Sequence, residues 1–276
     1  MVKEGIALRG TKKGSKLWPW TALVCLSTLV VGLLGWDIGQ AQAFQDQSAP
    51  SSIPASNSLL STMNTETVDV VGGSMAHGWK DPNDNSYIKR AFSQLTSSTN
   101  TTYKYVDRTT VGGTASWLQQ SKPGTFEKWM KTDKPQIVVI SWGLMNDVSK
   151  HTKEKSFKQA IHQEIAQALQ AHAVVLMVSP PVVQASATYD KFPVNQLIAA
   201  EFEVAASFHS KNVYTFNLNQ QMTNYLAAHN QTYKMYKGDS WHPNQAGHEL
   251  AGQLLYNDMM QTLGQAPIIW KTAKSQ

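Results

Sequence analysis

Short β-branched runs alternate along this chain with longer segments in which apolar residues have helical spacing. The runs predicted to be strands are 67–71, 103–107, 136–141, 173–178 and 213–216. The third and fourth are apolar without interruption, which is typical of strands buried on both faces. Helical spacing marks 156–171, 194–207 and 246–263. This alternation predicts an α/β fold, a three-layer αβα sandwich around a mostly parallel five-stranded sheet.

The first 65 residues follow a different pattern. Basic residues between Lys3 and Lys16 precede an almost wholly apolar stretch over 17–36, and a small-x-small site, Ala41-Gln42-Ala43, follows it. This pattern predicts that 1–43 is a signal peptide, cleaved before Phe44, or a membrane anchor if it is not cleaved. Residues 44–65 are rich in Ser, Pro, Gln and Asn, which is typical of a flexible linker. The remaining 66–276 can form one domain with a good-sized core.

The predicted export segment places the body of the protein outside the cytoplasmic membrane. We expect it to be extracellular, either secreted or anchored to the outer face of that membrane. Membrane contact is then expected only through the N-terminal segment, if that segment stays uncleaved. The one cysteine, Cys25, lies in the apolar stretch, so neither a disulfide framework nor a Cys-based zinc site is expected in the body.

The positive charge is concentrated in the same N-terminal segment. The formal net charge is +5, but five of the 24 basic and only two of the 19 acidic residues precede Phe44. From Phe44 onwards, 19 basic residues therefore face 17 acidic ones. So small an excess gives no basic surface for nucleic acid, and no nucleic-acid partner is expected.

In parallel α/β sheets, functional sites form beyond the carboxyl ends of the strands, which directs attention to the loops there. After the first strand comes Gly72-Gly73-Ser74, a glycine-supported turn that can present a serine hydroxyl. After the second come the adjacent glycines Gly112 and Gly113. Each feature alone also fits an ordinary N-cap or turn.

Two further loops carry side chains suited to catalysis. Asn146, after the third strand, can donate its amide to an anion, and the adjacent Asp147 could cap the next turn. Asp239 and His242 lie three residues apart before the last helix, where the carboxylate can orient the imidazole as a base. A helix-entry loop or an Asp/His metal pair would also fit this spacing, but no convincing third ligand accompanies the pair.

Together, the four loops make the chain similar to the SGNH hydrolases, also called the GDSL-type lipase/esterase superfamily. The family's Gly-Asp-Ser-Leu block corresponds to Gly72-Gly73-Ser74-Met75, and its loop glycine corresponds to Gly113, with Gly112 as the other choice. Its Gly-x-Asn-Asp block corresponds to 143–147, with one extra residue, and its Asp-x-x-His-Pro block is complete over 239–243. The resemblance implies the flavodoxin-like SGNH fold over 66–276.

The resemblance also implies a mechanism. Ser74 would be the nucleophile, His242 its base and Asp239 the residue that orients His242. The N–H groups of Ser74 and Gly113 and the Asn146 amide would form the oxyanion hole. No cofactor or metal is implied. The expected activity is hydrolysis of carboxylic (acyl or acetyl) esters through an acyl-enzyme. The substrate would be a small-molecule ester or an ester of a carbohydrate or lipid.

Two other functions remain open from the sequence. The same triad could act as an acyltransferase or deacetylase on cell-envelope polysaccharide, because the acceptor depends on the shape of the pocket. The fold could also serve as a non-catalytic surface binding module.

Several tryptophans near the motif loops fit either a substrate subsite or the core equally well. They are Trp79, Trp117, Trp142 and Trp241. His77 is expected at the cleft rim or in solvent, and His248 is expected to be an ordinary helix residue.

Overall fold

The computed structural model describes residues 64–272. The predicted signal peptide or anchor over 1–43 and all but the last two residues of the predicted linker over 44–65 lie outside the described residues. The first strand already begins at Asn64, two residues before the predicted start of the domain.

The central layer is a five-stranded sheet in which every pairing is parallel. The strands are β1 (Asn64–Gly72), β2 (Thr101–Asp107), β3 (Ile137–Ser141), β4 (Val174–Val178) and β5 (Val213–Phe216). Their order is β2-β1-β3-β4-β5, which is the flavodoxin-like order. The predicted α/β fold is therefore confirmed.

Ten α-helices of the described part connect and cover these strands. They are α1 (Ser74–His77), α2 (Tyr87–Ser98), α3 (Ala115–Ser121), α4 (Thr125–Asp133), α5 (Met145–Ser149), α6 (Glu154–Gln170), α7 (Gln184–Ala187), α8 (Lys191–Ser207), α9 (Leu218–Ala228) and α10 (Gln245–Leu263). A 3₁₀ turn spans Tyr233–Met235. The three segments with helical spacing correspond to α6, α8 and α10. Within residues 64–272, no helix is both long and apolar enough to cross a bilayer.

The helices form two layers, one on each side of the sheet. Helix α10 packs against α2 and α9, whereas α6 packs against α3, α4 and α8. Strands β3 and β4 lie between these layers, and each of their residues is buried. Burial on both faces explains why these two strands have uninterrupted apolar sequences.

The topology leaves a crevice at the carboxyl end of β1. This strand pairs with β2 on one side and with β3 on the other. The connection that follows β1 therefore leads to one side of the strand, and the connection that follows β2 leads back to the other side. Connections that leave in opposite directions open a gap above the strand ends, where ligands of such sheets bind. The loops after β1, β2 and β3 all reach this gap.

Candidate active site

Ser74 occupies the sharp turn between β1 and α1. Gly72 aligns with Ser141 of β3, and a Cβ atom on Gly72 would lie only 2.0 Å from the Ser141 carbonyl oxygen. Only glycine fits there, which explains the first glycine of the motif. Ser74 is then the first residue of α1, so its N–H has no acceptor within the helix. Its side chain lies in the crevice with 7% of the residue exposed.

A continuous chain of hydrogen bonds joins Ser74 to His242, 168 positions later in the sequence, and through it to Asp239. The Oγ of Ser74 lies 2.8 Å from Nε2 of His242. The Nδ1 of His242 lies 2.9 Å from Oδ1 and 3.0 Å from Oδ2 of Asp239. An ionised carboxylate only accepts hydrogen bonds, so Nδ1 carries the proton and Nε2 is free to accept from the serine hydroxyl. Sequence reasoning predicted these three residues, and the structure brings them together.

The loop that carries Asp239 and His242 is held by its own backbone. The N–H groups of Trp241 and His242 both donate to Oδ1 of Asp239, at 2.8 and 2.9 Å. Burial alone would raise the pKa of Asp239, but these donors and the His242 ring outweigh it and hold the pKa below its usual value. Asp239 is therefore ionised at neutral pH and can stabilise a positively charged imidazole.

The loop after β2 brings Gly112 and Gly113 close to Ser74. Gly112 has φ +76, a conformation that favours glycine, and the N–H of Gly113 donates to the Thr110 carbonyl at 3.0 Å. A Cβ atom on Gly73 would lie 3.8 Å from the Gly113 carbonyl oxygen, so this loop borders the nucleophile turn. An oxyanion would have to share the Gly113 N–H with Thr110, and the role of Gly113 stays a prediction.

Asn146 reaches the same loop from α5. Its Nδ2 donates to the Gly113 carbonyl at 3.3 Å, which is long for an N–H···O bond. A weak bond of this kind can be exchanged for a bond to a negatively charged ligand. The structure therefore places the Asn146 amide near the crevice, and its role in an oxyanion hole stays a prediction.

The extra residue of the third motif is accommodated just before α5. Leu144 has φ +63 and is 1% exposed, and the N–H of Met145 donates to the Gly143 carbonyl at 2.8 Å. This tight turn absorbs the added residue, and the burial of the leucine side chain offsets its unfavourable backbone conformation. Asn146 is consequently the second residue of α5.

We predict that Asn146→Ala lowers kcat for p-nitrophenyl acetate by about a hundred- to a thousandfold, because one donor to the oxyanion is lost. Steady-state kinetics would measure this effect. The matched control is Asn257→Ala on the exposed face of α10, where the side chain bonds only to Gln253. Equal turnover by the Asn146 and Asn257 variants would remove Asn146 from the oxyanion hole.

The two other histidines noted in the sequence have defined partners. The Nδ1 of His77 lies 3.0 Å from both Asp107 Oδ2 and Thr109 Oγ1, so this ring joins α1 to the loop after β2. Its partly exposed position agrees with the expected place at the rim. The Nε2 of His248 lies 3.2 Å from the carbonyl oxygen of Trp79, and His248 is fully buried.

The tryptophans near the motif loops divide into two groups. Trp142 is buried and donates its Nε1–H to Glu164 at 2.9 Å, while Trp117 and Trp241 pack against the core. Trp79, in contrast, is 41% exposed, and its ring centroid lies 6.4 Å from that of His242. Trp142 is therefore a structural residue, and Trp79 is the most exposed of the four.

Sequence reasoning missed a group of buried carboxyls behind α5. Asp147, which the sequence indicates could cap the next turn, is buried, and burial raises its pKa to about 6. Burial also raises the pKa of Glu164 to about 8 and that of Glu201 well above its usual value. The sequence did carry a signal of this burial, because both glutamates fall on the apolar faces of α6 and α8.

Across residues 64–272, no group of three His, Cys, Asp or Glu side chains is arranged to hold a metal ion.

Comparison with solved structures shows the same fold in several enzymes. A lipase/acylhydrolase from Enterococcus faecalis is 18% identical, with TM-score 0.54, over 71% of this chain and 96% of that one. A psychrotrophic esterase from Pseudoalteromonas sp., in a structure inhibited by monoethylphosphonate, is 14% identical, with TM-score 0.55, over 72% and 98%. An acetylxylan esterase from Geobacillus stearothermophilus is 13% identical, with TM-score 0.56, over 76% and 97%.

Comparison of the sequences assigns the family. None of the curated protein sequences compared with this chain matches it. The model of the GDSL-like lipase/acylhydrolase family matches residues 70–250, which span all four motif loops and well over half of the chain. This match confirms the resemblance seen in the sequence and supports hydrolysis of carboxylic esters. The chain therefore belongs to the GDSL-like lipase/acylhydrolase family.

Proposed function

We propose that this protein is an exported serine esterase that uses Ser74, His242 and Asp239 as a catalytic triad. The observation that carries the proposal is the continuous hydrogen-bonded chain from the Ser74 hydroxyl through His242 to Asp239. A nucleophile that bonds to a base, which in turn bonds to an orienting group, is the arrangement that activates serine for attack on a carbonyl.

The geometry supports the following sequence of steps. Ser74 Oγ attacks the ester carbonyl while His242 Nε2 takes its proton, and Asp239 stabilises the resulting imidazolium. The oxyanion is held by the N–H of Ser74, the Asn146 amide and the N–H of Gly113. His242 then protonates the leaving alcohol, which gives an acyl-enzyme on Ser74. Water, activated by the same histidine, releases the acid.

The proposed location rests on the N-terminal sequence. The basic segment, the apolar stretch over 17–36 and the Ala41-Gln42-Ala43 site support export, so the enzyme would act outside the cytoplasmic membrane. For the substrate we propose a small-molecule or carbohydrate ester. In support, structures with this fold include the acetylxylan esterase and a two-domain esterase active on acetylated mannans.

Labelling with a fluorophosphonate, read by intact mass, tests the proposed nucleophile. We expect the purified protein to gain one adduct, Ser74→Ala to gain none, and the matched control Ser97→Ala to label like the wild type. Ser97 is an exposed serine on α2 that bonds only to its own helix. Labelling of folded Ser74→Ala protein, or of another serine in the wild type, would contradict the proposal. Turnover of p-nitrophenyl acetate measured beside the labelling distinguishes a hydrolase from a fold that only binds ligands.

A further inference from the structure

Trp79 presents an exposed aromatic face beside the proposed general base. Its ring centroid lies 6.4 Å from that of His242, with the planes at 55°, and the residue is 41% exposed. An indole left in solvent at this position gains little from the core and offers its apolar face to whatever enters the crevice.

The backbone of Trp79 is fixed from two sides. Its N–H donates to the Ser74 carbonyl at 3.0 Å, and its own carbonyl accepts from Nε2 of His248 at 3.2 Å. His248 is buried and stacks on Tyr87, with ring centroids 6.1 Å apart and planes at 9°. Because the carbonyl can only accept, Nε2 of His248 carries the proton, and burial lowers the pKa of His248 to about 4, which keeps the ring neutral. The tryptophan therefore stands on a rigid, preorganised support.

The position of His242 shows which part of an ester Trp79 would meet. In the proposed mechanism, His242 must deliver its proton to the leaving oxygen, so the alcohol portion of the substrate lies on the histidine side of the scissile bond. The proposed oxyanion donors, Gly113 and Asn146, belong to the loops after β2 and β3 instead. The Trp79 ring thus lies where the alcohol portion binds.

The surroundings of Trp79 indicate the chemistry of that alcohol. Lys80 follows it directly and lies 3.8 Å from Asp239, and the exposed carboxylate of Asp84 lies near His77. A single aromatic face with charged groups close by matches a pyranose ring, which has an apolar C–H face and a rim of hydroxyls. A long alkyl chain would need a continuous apolar surface instead.

We propose that Trp79 is the platform of a sugar subsite on the alcohol side, so that the substrate is an O-acylated carbohydrate. This inference rests on the proposed esterase function, because it takes His242 as the acid that protonates the leaving oxygen. Trp79 would then determine specificity, and His248 would be a positioning residue that acts through the Trp79 carbonyl.

The test compares two acetate esters, acetylated xylotriose and ethyl acetate, whose alcohols differ in the presence of a sugar ring. We expect Trp79→Ala to lower the ratio of kcat/KM for acetylated xylotriose to that for ethyl acetate by about tenfold, mainly through KM. Trp79→Phe should retain most of the ratio. The matched control is Trp270→Ala, which lies next to His172 at the amino end of β4, away from the carboxyl ends where the site lies, and it should leave the ratio unchanged.

Two results would overturn the subsite. The first is an unchanged ratio in folded Trp79→Ala protein, which includes an equal loss with both esters. The second is turnover of ethyl acetate by the wild type without turnover of the sugar ester. A binding measurement separates failure of the subsite from failure of the esterase. Calorimetry with acetylated xylotriose on Ser74→Ala protein should show binding that the Ser74→Ala/Trp79→Ala double variant loses. Absence of binding to the single variant overturns the proposal even if the protein has no esterase activity.

Discussion

Replacing His242 with alanine is expected to lower kcat for p-nitrophenyl acetate by at least about ten-thousandfold at neutral pH. The imidazole is the only side chain recorded at hydrogen-bonding distance from the Ser74 hydroxyl in the described part of the chain. Without it, the serine stays protonated at the moment of attack, and the leaving alcohol receives no proton. Labelling of Ser74 by the fluorophosphonate should slow in parallel, because it requires the same activation.

The matched control is His229→Ala at the exposed end of α9, where the ring contacts Tyr225 and lies outside the crevice. We expect this variant to turn over like the wild type. Circular dichroism should show that both variants are folded. Turnover by His242→Ala within tenfold of His229→Ala would mean that another group deprotonates Ser74. His77 would then be the next candidate, although Asp107 and Thr109 already engage its Nδ1.

The sequence predicted the positions of the site residues because the topology collects strand ends at one edge. Once the strands ending at Gly72, Asp107 and Ser141 are parallel, the loops that follow them must meet. The Asp239–His242 pair was predictable from its spacing in one loop. The distances between Ser74 and these residues were not, because they depend on how α10 packs against the sheet.

The limits of the sequence appear most clearly at the oxyanion loops. The engagement of the Gly113 N–H by Thr110 depends on the local turn, and the conformation of Leu144 depends on a buried pocket for its side chain. Neither can be derived from motif spacing. Helix α2, by contrast, could have been predicted, because its buried residues from Tyr87 to Leu95 have helical spacing after the N-cap Ser86.

We expect the stability of this fold to depend on pH because several of its carboxyl groups are buried. Burial raises the pKa of Asp69 to about 7, helped by the nearby Asp133 carboxylate, and raises that of Asp147 to about 6. It raises the pKa of Glu164 to about 8 and that of Glu201 well above its usual value. Buried oxygens of all four residues lack a hydrogen-bond partner, so charging these groups in the folded state is costly.

The sign of the pH dependence follows from proton binding. Between about pH 5 and pH 8, these four carboxyls hold protons longer in the folded state than in the unfolded state, so stability falls as pH rises. His248 opposes this trend below about pH 6.5, because burial lowers its pKa and the unfolded state binds its proton more tightly. Four carboxyls outweigh one histidine. The free energy of unfolding should therefore fall by several kcal/mol from about pH 5.5 to about pH 8, with a drop in Tm of about 10 °C or more.

Glu201→Gln tests the origin of this trend, because it removes one titrating group and keeps the shape of the side chain. We expect the fall in Tm between about pH 5.5 and about pH 8 to become smaller, because burial raises the pKa of Glu201 and the glutamine cannot titrate. Differential scanning calorimetry at both pH values measures it. Glu203→Gln is the matched control, two residues along α8, where the carboxylate is exposed and pairs with Lys158. The control should keep the wild-type pH dependence.

A Glu201 variant with the same pH dependence as the Glu203 variant would contradict this origin of the trend. It would show that Glu201 is already ionised in the folded protein over this pH range.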